Sequence, residues 1–313
     1  MLGRIVFLGS GAFGVPLLER LPEQVNDLLV VSRPDRPAGR GLRERAAPVA
    51  AAARTQGMDL LTPPRLRAPE AREAIAAFRP DGLLLAAYGE LVPPELLIAA
   101  PRPPLNAHPS LLPRHRGAAP VASALLAGDA ETGVSLMIMV ERLDAGPVVG
   151  QWRMPLTGRE EAPQLERRLA ELAAEVVPPR LADWAAGHLE AREQDEARAT
   201  YRRPFDRRDG WIDWRRSADE IDRQVRALQP WPGAWTTLGG RRLHIRRAHP
   251  VDGVPGLPIG SLLPGTPPVV ASGIGALALV TVQPEGRPPM AAEAWRHGLS
   301  RDHVLLGGDQ PPD

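Results

Sequence analysis

Three polar residues stand where a carbonyl reaction could use them. Asn106 and His108 are separated by one residue in Leu105-Asn106-Ala107-His108-Pro109, at the end of an apolar run, and Asp144 lies in the turn Leu143-Asp144-Ala145-Gly146-Pro147. In a strand, a spacing of two aims both side chains at one face. A histidine moves a proton near neutral pH, an asparagine amide donates to a developing oxyanion, and a carboxylate orients an imidazole and favours its charged form. Direct attack of an amine on a carbonyl uses all three functions and needs no covalent nucleophile. Taken singly, each residue has a plainer explanation: a hydrogen-bonded filler at a strand end for His108, turn chemistry for Asp144. It is the set that suits catalysis.

Composition removes the competing chemistries. The chain has no cysteine, and all 38 basic residues are arginine, since no lysine occurs. Disulfides, thiolate nucleophiles, cysteine-ligated metals, Schiff bases and a phosphate-loop lysine are therefore excluded. No metal site is expected. The formal net charge is +1, which neither requires nor forbids a nucleic acid. No apolar run reaches the length that spans a bilayer. The opening MLGRIVFLGSG leads into a glycine turn with no cleavage pattern behind it, so a buried first strand is expected rather than a secretion signal. These features predict a soluble cytoplasmic protein.

The elements that must position the three residues alternate in type. Apolar runs at Arg4–Leu8, Asp27–Ser32, Gly82–Ala87 and Leu105–His108 read as strands, and Gly14–Leu21, Val49–Gln56, Ala68–Phe78 and Ala119–Leu126 as helices. Val134–Val140 and Val148–Met154 extend the sheet, and Ala162–Ala186 closes it as a long helix. The alternation predicts an α/β fold: a Rossmann-like, mostly parallel sheet with helices on both faces, whose ligands bind at the carboxyl ends of the strands. Residues 1–189 form this expected domain. Glu190–Thr200 is charged and lacks an apolar stripe, so 190–206 reads as a linker. Beyond it, a helix at Ala218–Leu228 and short runs at Trp235–Leu238, Arg242–Ile245, Val269–Ala271 and Ala276–Val282 predict a small OB-like β-barrel domain over 207–313.

One motif competes. Gly9, Gly11 and Gly14 spell G-x-G-x-x-G between a strand and a helix, with Asp35 at about the place of a ribose-binding acid. An NAD(P) oxidoreductase rests on that turn alone and leaves Asn106, His108 and Asp144 unexplained. The turn itself demands only a tight bend and a helix N-terminus.

The wider segments carry a resemblance. LNAHPSLLPRHRGAAP (Leu105–Pro120), GDAETGVSLMIM (Gly128–Met139) and LDAG (Leu143–Gly146) resemble, in order and spacing, the signature of enzymes that use 10-formyltetrahydrofolate. The match is closest to the methionyl-tRNA formyltransferase family and runs along essentially the whole chain. FLGSGAFGVP (Phe7–Pro16) is similar to that family's opening turn, RPDRPAGRG (Arg33–Gly41) to its basic loop, and AYGELVPPELL (Ala87–Leu97) to its folate-cleft segment. In the second domain Gly210–Thr236 and Val282–Met290 are similar to its tRNA-binding barrel.

The resemblance implies formyl transfer from 10-formyltetrahydrofolate to the α-amine of methionine on initiator Met-tRNA, for translation initiation, by a monomer that meets no membrane. It assigns catalysis to Asn106, His108 and Asp144. It assigns folate binding to Ala87, Tyr88, Gly89, Leu91, Ser110, Leu111, Leu112, Pro113, Val140 and Leu143. The arginines expected to meet tRNA are Arg33, Arg36, Arg40 and Arg43 of the basic loop with Arg202, Arg203, Arg241 and Arg246. A formyltransferase for a small amine would need neither the loop nor the second domain, and a non-catalytic RNA-binding protein would need no polar triad.

Overall fold

Residues 2–38, 43–253, 256–263, 265–299 and 304–308 are described by a computed structural model of the chain. Two compact units emerge. One comprises Met1–Val121, Glu131–Pro155 and Gln164–Arg203, and the other Ala122–Ala130, Leu156–Pro163 and Pro204–Asp313.

The first unit is built on a seven-stranded sheet in the order Val148–Pro155, Glu131–Ile138, Leu105–His108, Gly82–Ala86, Arg4–Gly9, Asp27–Val31, Asp59–Leu61. The last five strands run parallel, and Glu131–Ile138 and Val148–Pro155 add two antiparallel pairings. Near-continuous apolar runs such as Ile5–Leu8 are what strands covered on both faces require, and all four of those residues are buried. The helices begin where local chemistry places them: proline opens both Pro48–Thr55 and Pro69–Phe78, at positions whose N–H groups would have no helical partner. The strand Asp59–Leu61 and the short helix Pro94–Leu97 have no counterpart among the expected elements. At three and four residues, both are too short to show a period.

Two segments differ from expectation. The segment given only as a basic loop starts and ends as a pair of short strands: Arg36 to Ala38 pairs antiparallel with Arg43 to Arg45. The stretch 190–206, read as a linker, is largely folded onto the first unit. Arg192 bridges Val148, Glu196–Arg198 forms a turn of 3₁₀ helix, and Tyr201–Arg202 pairs in parallel with Arg116–Gly117. Its polar side chains reach into the unit, so an apolar stripe was the wrong signal to seek.

The second unit is a nearly closed, barrel-like antiparallel sheet in the order Trp235–Leu238, Arg241–Val251, Ala276–Pro284, Val269–Ala271, Ser261–Leu263, Val304–Leu305, with Met290–Ala291 also on Ala276–Pro284. Arg241–Val251 is longer than the Arg242–Ile245 run expected, and its register against Ala276–Pro284 shifts at Arg247. Such irregularities bend a strand and let a sheet curl. The helix Ala218–Ala227 is started by a capping box in which Ser217 and Glu220 bond each other's backbone N–H. It buries Ile221 and Val225 against Leu243, Leu277 and Trp295. Among the described residues no helix is long and apolar enough to cross a membrane.

Candidate active site

Leu105–His108 pairs with Gly82–Ala86 on one side and Glu131–Ile138 on the other, so its backbone is fixed from both edges. Asn106 and His108 leave it on the same face. Both are buried, as is Asp144, whose loop folds back over that face. Asn106 Nδ2 lies 3.4 Å from Asp144 Oδ1, and His108 Nδ1 lies 3.8 Å from Asp144 Oδ2. The other ring nitrogen, Nε2, is 3.0 Å from the backbone oxygen of His115, which can only accept. Both imidazole nitrogens thus face acceptor oxygens. The three residues assigned to catalysis from sequence come together, and the set supplies two donors and a carboxylate to one buried point.

Asp144 is held more tightly than turn chemistry would require. Its backbone is left-handed, with φ +50°, a conformation that costs a non-glycine residue and persists only where the surroundings impose it. The Gly117 N–H donates to Oδ2 at 2.8 Å, and Gln194 Nε2 donates to the carbonyls of Asp144 and Gly146 at 2.9 and 2.6 Å. Gly117 must be glycine: its φ is +99°, and a Cβ there would stand 2.3 Å from the carbonyl oxygen of Arg202. Gln194 is oriented in turn by Arg116, a fully buried guanidinium. Sequence reasoning found neither Arg116 nor Gln194, because one sits among other arginines and the other in an unpatterned charged stretch.

A second network shapes Ser110–Pro113. Ser135 Oγ donates to the Ser110 carbonyl at 2.7 Å and accepts from the Leu112 N–H at 3.1 Å, and Gln151 Nε2 donates to both Ser135 Oγ and the Leu112 carbonyl. The Ser110 hydroxyl bonds the Arg114 carbonyl, and the Leu112 side chain is buried. Leu111 and Pro113 are half-buried. Ala87, at φ +51°, and Gly89 are exposed, whereas Tyr88 points into the core among Leu66, Leu83 and Leu96. Burial, then the neighbouring Glu90, pushes the Tyr88 hydroxyl up to about 12, so it stays protonated. Leu91, Val140 and Leu143 are 65%, 40% and 46% exposed. Large apolar side chains left in solvent offer a surface that an apolar ligand can cover, and Val140 and Leu143 lie on the segment that leads into Asp144.

The arginines divide. Arg33 is half-buried, its guanidinium lies 3.3 Å from where a Gly89 Cβ would stand, and its N–H bonds Ser10 Oγ, so it belongs beside the Ala87–Leu91 segment rather than out on the hairpin. Arg36 is exposed on the hairpin. The backbone of Arg43 pairs with Ala38, and Arg40 lies outside the described residues. Arg202 and Arg203 are part of the first unit and not of the barrel. Arg241 is exposed, while Arg246 is half-buried and donates twice to Gln283 Oε1 at 3.0 and 2.7 Å.

The glycine turn has a structural origin. A Cβ at Gly14 would lie 2.9 Å from the carbonyl oxygen of Ala86, so helix and strand approach too closely for any other residue. Asp35 is bound by the guanidinium of Arg54 at 3.0 to 3.1 Å. No metal-holding cluster of His, Cys, Asp or Glu occurs among the described residues.

The sequence has recognisable relatives. Residues 3–181 match the formyl transferase family, and residues 205–300 match the formyl transferase C-terminal domain. A methionyl-tRNA formyltransferase of Roseiflexus sp. (strain RS-1) is 44% identical across 99% of this chain and 95% of its own length. One from Thermus thermophilus is 42% identical across 94% and 96%. Among solved structures, WlaRD, a sugar 3N-formyl transferase, superposes with a TM-score of 0.68 at 14% identity over 92% of this chain and 100% of its own. HypX from Aquifex aeolicus, in complex with tetrahydrofolic acid, superposes with 0.63 at 18% identity over 97% and 50%. At such identities the structural likeness is one of fold.

Proposed function

The chain belongs to the formyl transferase family, on its methionyl-tRNA formyltransferase branch, and we propose that Asn106, His108 and Asp144 carry the transfer of a formyl group from 10-formyltetrahydrofolate. The acceptor is the α-amine of methionine on initiator Met-tRNA, formylated for translation initiation.

The observation that carries the residue roles is the convergence of two donors and a carboxylate on one buried face. As the amine nitrogen attacks the formyl carbon, negative charge builds on the formyl oxygen. Asn106 Nδ2 and the His108 imidazole are donors suited to that charge. The bond to the donor nitrogen then breaks, and the proton lost by the attacking amine must reach the departing nitrogen. Asp144, next to both donors, is placed to accept and return it. The apolar side chains of Leu91, Val140 and Leu143, with backbone of Ala87, Gly89 and Ser110–Pro113, would hold the pterin. Arg36, Arg40, Arg43, Arg241 and Arg246 would meet tRNA phosphates, with Arg33, Arg202 and Arg203 nearer the first unit's own segments. We further propose that the working species is a monomer acting in the cytoplasm; light scattering on the purified chain checks the monomer.

The test is labelled formyl transfer from 10-formyltetrahydrofolate into methionyl-initiator tRNA, with methionyl-elongator tRNA and free methionine as controls. Label in the initiator tRNA alone is the expected result. Equal label in free methionine would turn the reading toward a small-amine formyltransferase. On the hairpin, Arg36→Ala should weaken tRNA use and lower the slope of log affinity against log salt by about 1, as expected for one lost phosphate contact. An unchanged slope would remove Arg36 from the interface.

A further inference from the structure

We propose that Gln194 and Arg116 are positioning residues for the reaction: a buried guanidinium fixes an amide, and that amide holds Asp144 in its strained backbone state. The inference deepens the reading of Asp144 above and rests on it.

Arg116 is fully buried, and every one of its five N–H donors is used. Nε and Nη2 donate to Gln194 Oε1 at 3.0 and 2.8 Å, Nη1 and Nη2 to the two carboxylate oxygens of Glu196 at 3.2 and 2.8 Å, and Nη1 to the Tyr201 hydroxyl at 2.6 Å. With Oε1 so engaged, the Gln194 amide cannot rotate, and its Nε2 must point at the carbonyls of Asp144 and Gly146. Two carbonyls on either side of Ala145 are thereby tied to one nitrogen, which pins the turn that gives Asp144 its φ of +50°. Arg116 also precedes Gly117, whose N–H holds the carboxylate itself. Main chain and side chain of Asp144 are thus fixed by one cluster, and all the partners of Arg116 lie between 194 and 201. An arginine buried beneath exposed residues, with its charge offset at the rim by Glu196, is an expensive arrangement for packing alone. It gives a rigid fork that a lysine could not supply.

Gln194→Glu separates positioning from structure. A carboxylate there keeps its contact with Arg116 but loses both Nε2 donors and turns an oxygen toward two carbonyls. The expected result is a fall in kcat of about 10- to 100-fold with KM for both substrates within about twofold, in a protein that still melts cooperatively at a modestly lower temperature, the signature of a misaimed catalytic group. In an Asp144→Asn background the same change should cost little more, because a residue that acts only through Asp144 has nothing left to position. Normal kcat in Gln194→Glu, or losses that multiply in the double variant, would overturn the inference. If Gln194→Glu does not fold, Gln194→Met, which leaves Glu196 and Tyr201 on Arg116, runs the same cycle with the same two outcomes. Failure of the wild-type protein to formylate Met-tRNA would instead strike the functional reading.

Discussion

His108 in the first unit and His244 in the second are both largely withdrawn from solvent, yet their surroundings oppose each other. His108 has a carbonyl oxygen at one nitrogen and a carboxylate facing the other. His244 stands on Arg241–Val251 between Arg242 and Arg246, and its Nδ1 is buried with no hydrogen-bond partner. Burial, then Arg246, then Arg242 push its pKa down to about 4. The same side chain faces two acceptor oxygens in one place and is kept neutral between cations in the other. Neighbours set the difference: burial and two flanking cations keep the His244 imidazole uncharged. The lesson extends to the arginines, which saturate a buried centre in one unit and line a strand in the other.

The largest expected contrast is in turnover. His108→Ala, like Asn106→Ala, should lower kcat by about two to four powers of ten, the usual cost of losing an acid–base or oxyanion group. His244→Ala should leave kcat near normal and act, if at all, on tRNA affinity. Comparable kcat losses in the two histidine variants, both well folded, would abolish the distinction. Next is Asp144→Asn, which keeps the shape of the turn and removes the charge opposite His108. Turnover should collapse while folate binding, measured by fluorescence quenching, persists; lost binding with an intact rate per bound complex would make Asp144 a pocket residue.

Gly117→Ala should do less to chemistry and more to the fold. Forcing a Cβ against the Arg202 carbonyl at φ +99° costs on the order of 1–3 kcal/mol, and displacement of the N–H from Asp144 should reduce kcat by roughly tenfold or more. A melt and a rate measurement together read both, and wild-type turnover would show that Asp144 does not depend on this donor. The smallest effect concerns His244 and pH. An unfolded chain protonates this histidine near its ordinary value of 6.5, whereas the folded barrel resists until about 4. In that window the unfolded state binds the extra proton, so stability falls as pH drops from 6.5 to 4 and levels off below. His244→Gln should flatten this part of the melting-temperature profile, and an unaltered slope would mean that His244 is not held neutral.

Alternation of apolar runs with amphipathic stretches exposed the parallel sheet in the sequence, because strands buried on both faces cannot contain much else. Two of the three residues proposed to react were legible for a different reason: Asn106 and His108 share a strand, so their common face follows from counting, whereas Asp144 stood out only through its turn and the resemblance. What counting could not reach was everything made by distant chain meeting distant chain. The Gln194 amide, the Arg116 fork and the Ser135 hydroxyl that shapes Ser110–Pro113 act through contacts 16 to 85 residues apart along the chain. A charged stretch at 190–206 looks like tether by composition, although its polar atoms are what bind. Short elements such as Asp59–Leu61 escaped because three residues carry no period. Only Leu243 and Ile245 alternate cleanly inward on the long barrel strand, so the expected run stops at Ile245 where the strand continues to Val251.

The last place where the chain passes from the first unit to the second, after Arg203, bears on where the chain can be cut. The family's N-terminal match ends at residue 181, and a boundary drawn there, or at residue 189, looks like a clean joint between modules. A fragment cut at that joint would leave Arg116 without Gln194, Glu196 and Tyr201, and the Gly117 backbone without the Tyr201–Arg202 strand beside it. Any recombination that joins this N-terminal segment to a foreign partner therefore has to inherit the chain through Arg203 along with it. The end of the family match and the end of the compact unit lie some twenty residues apart.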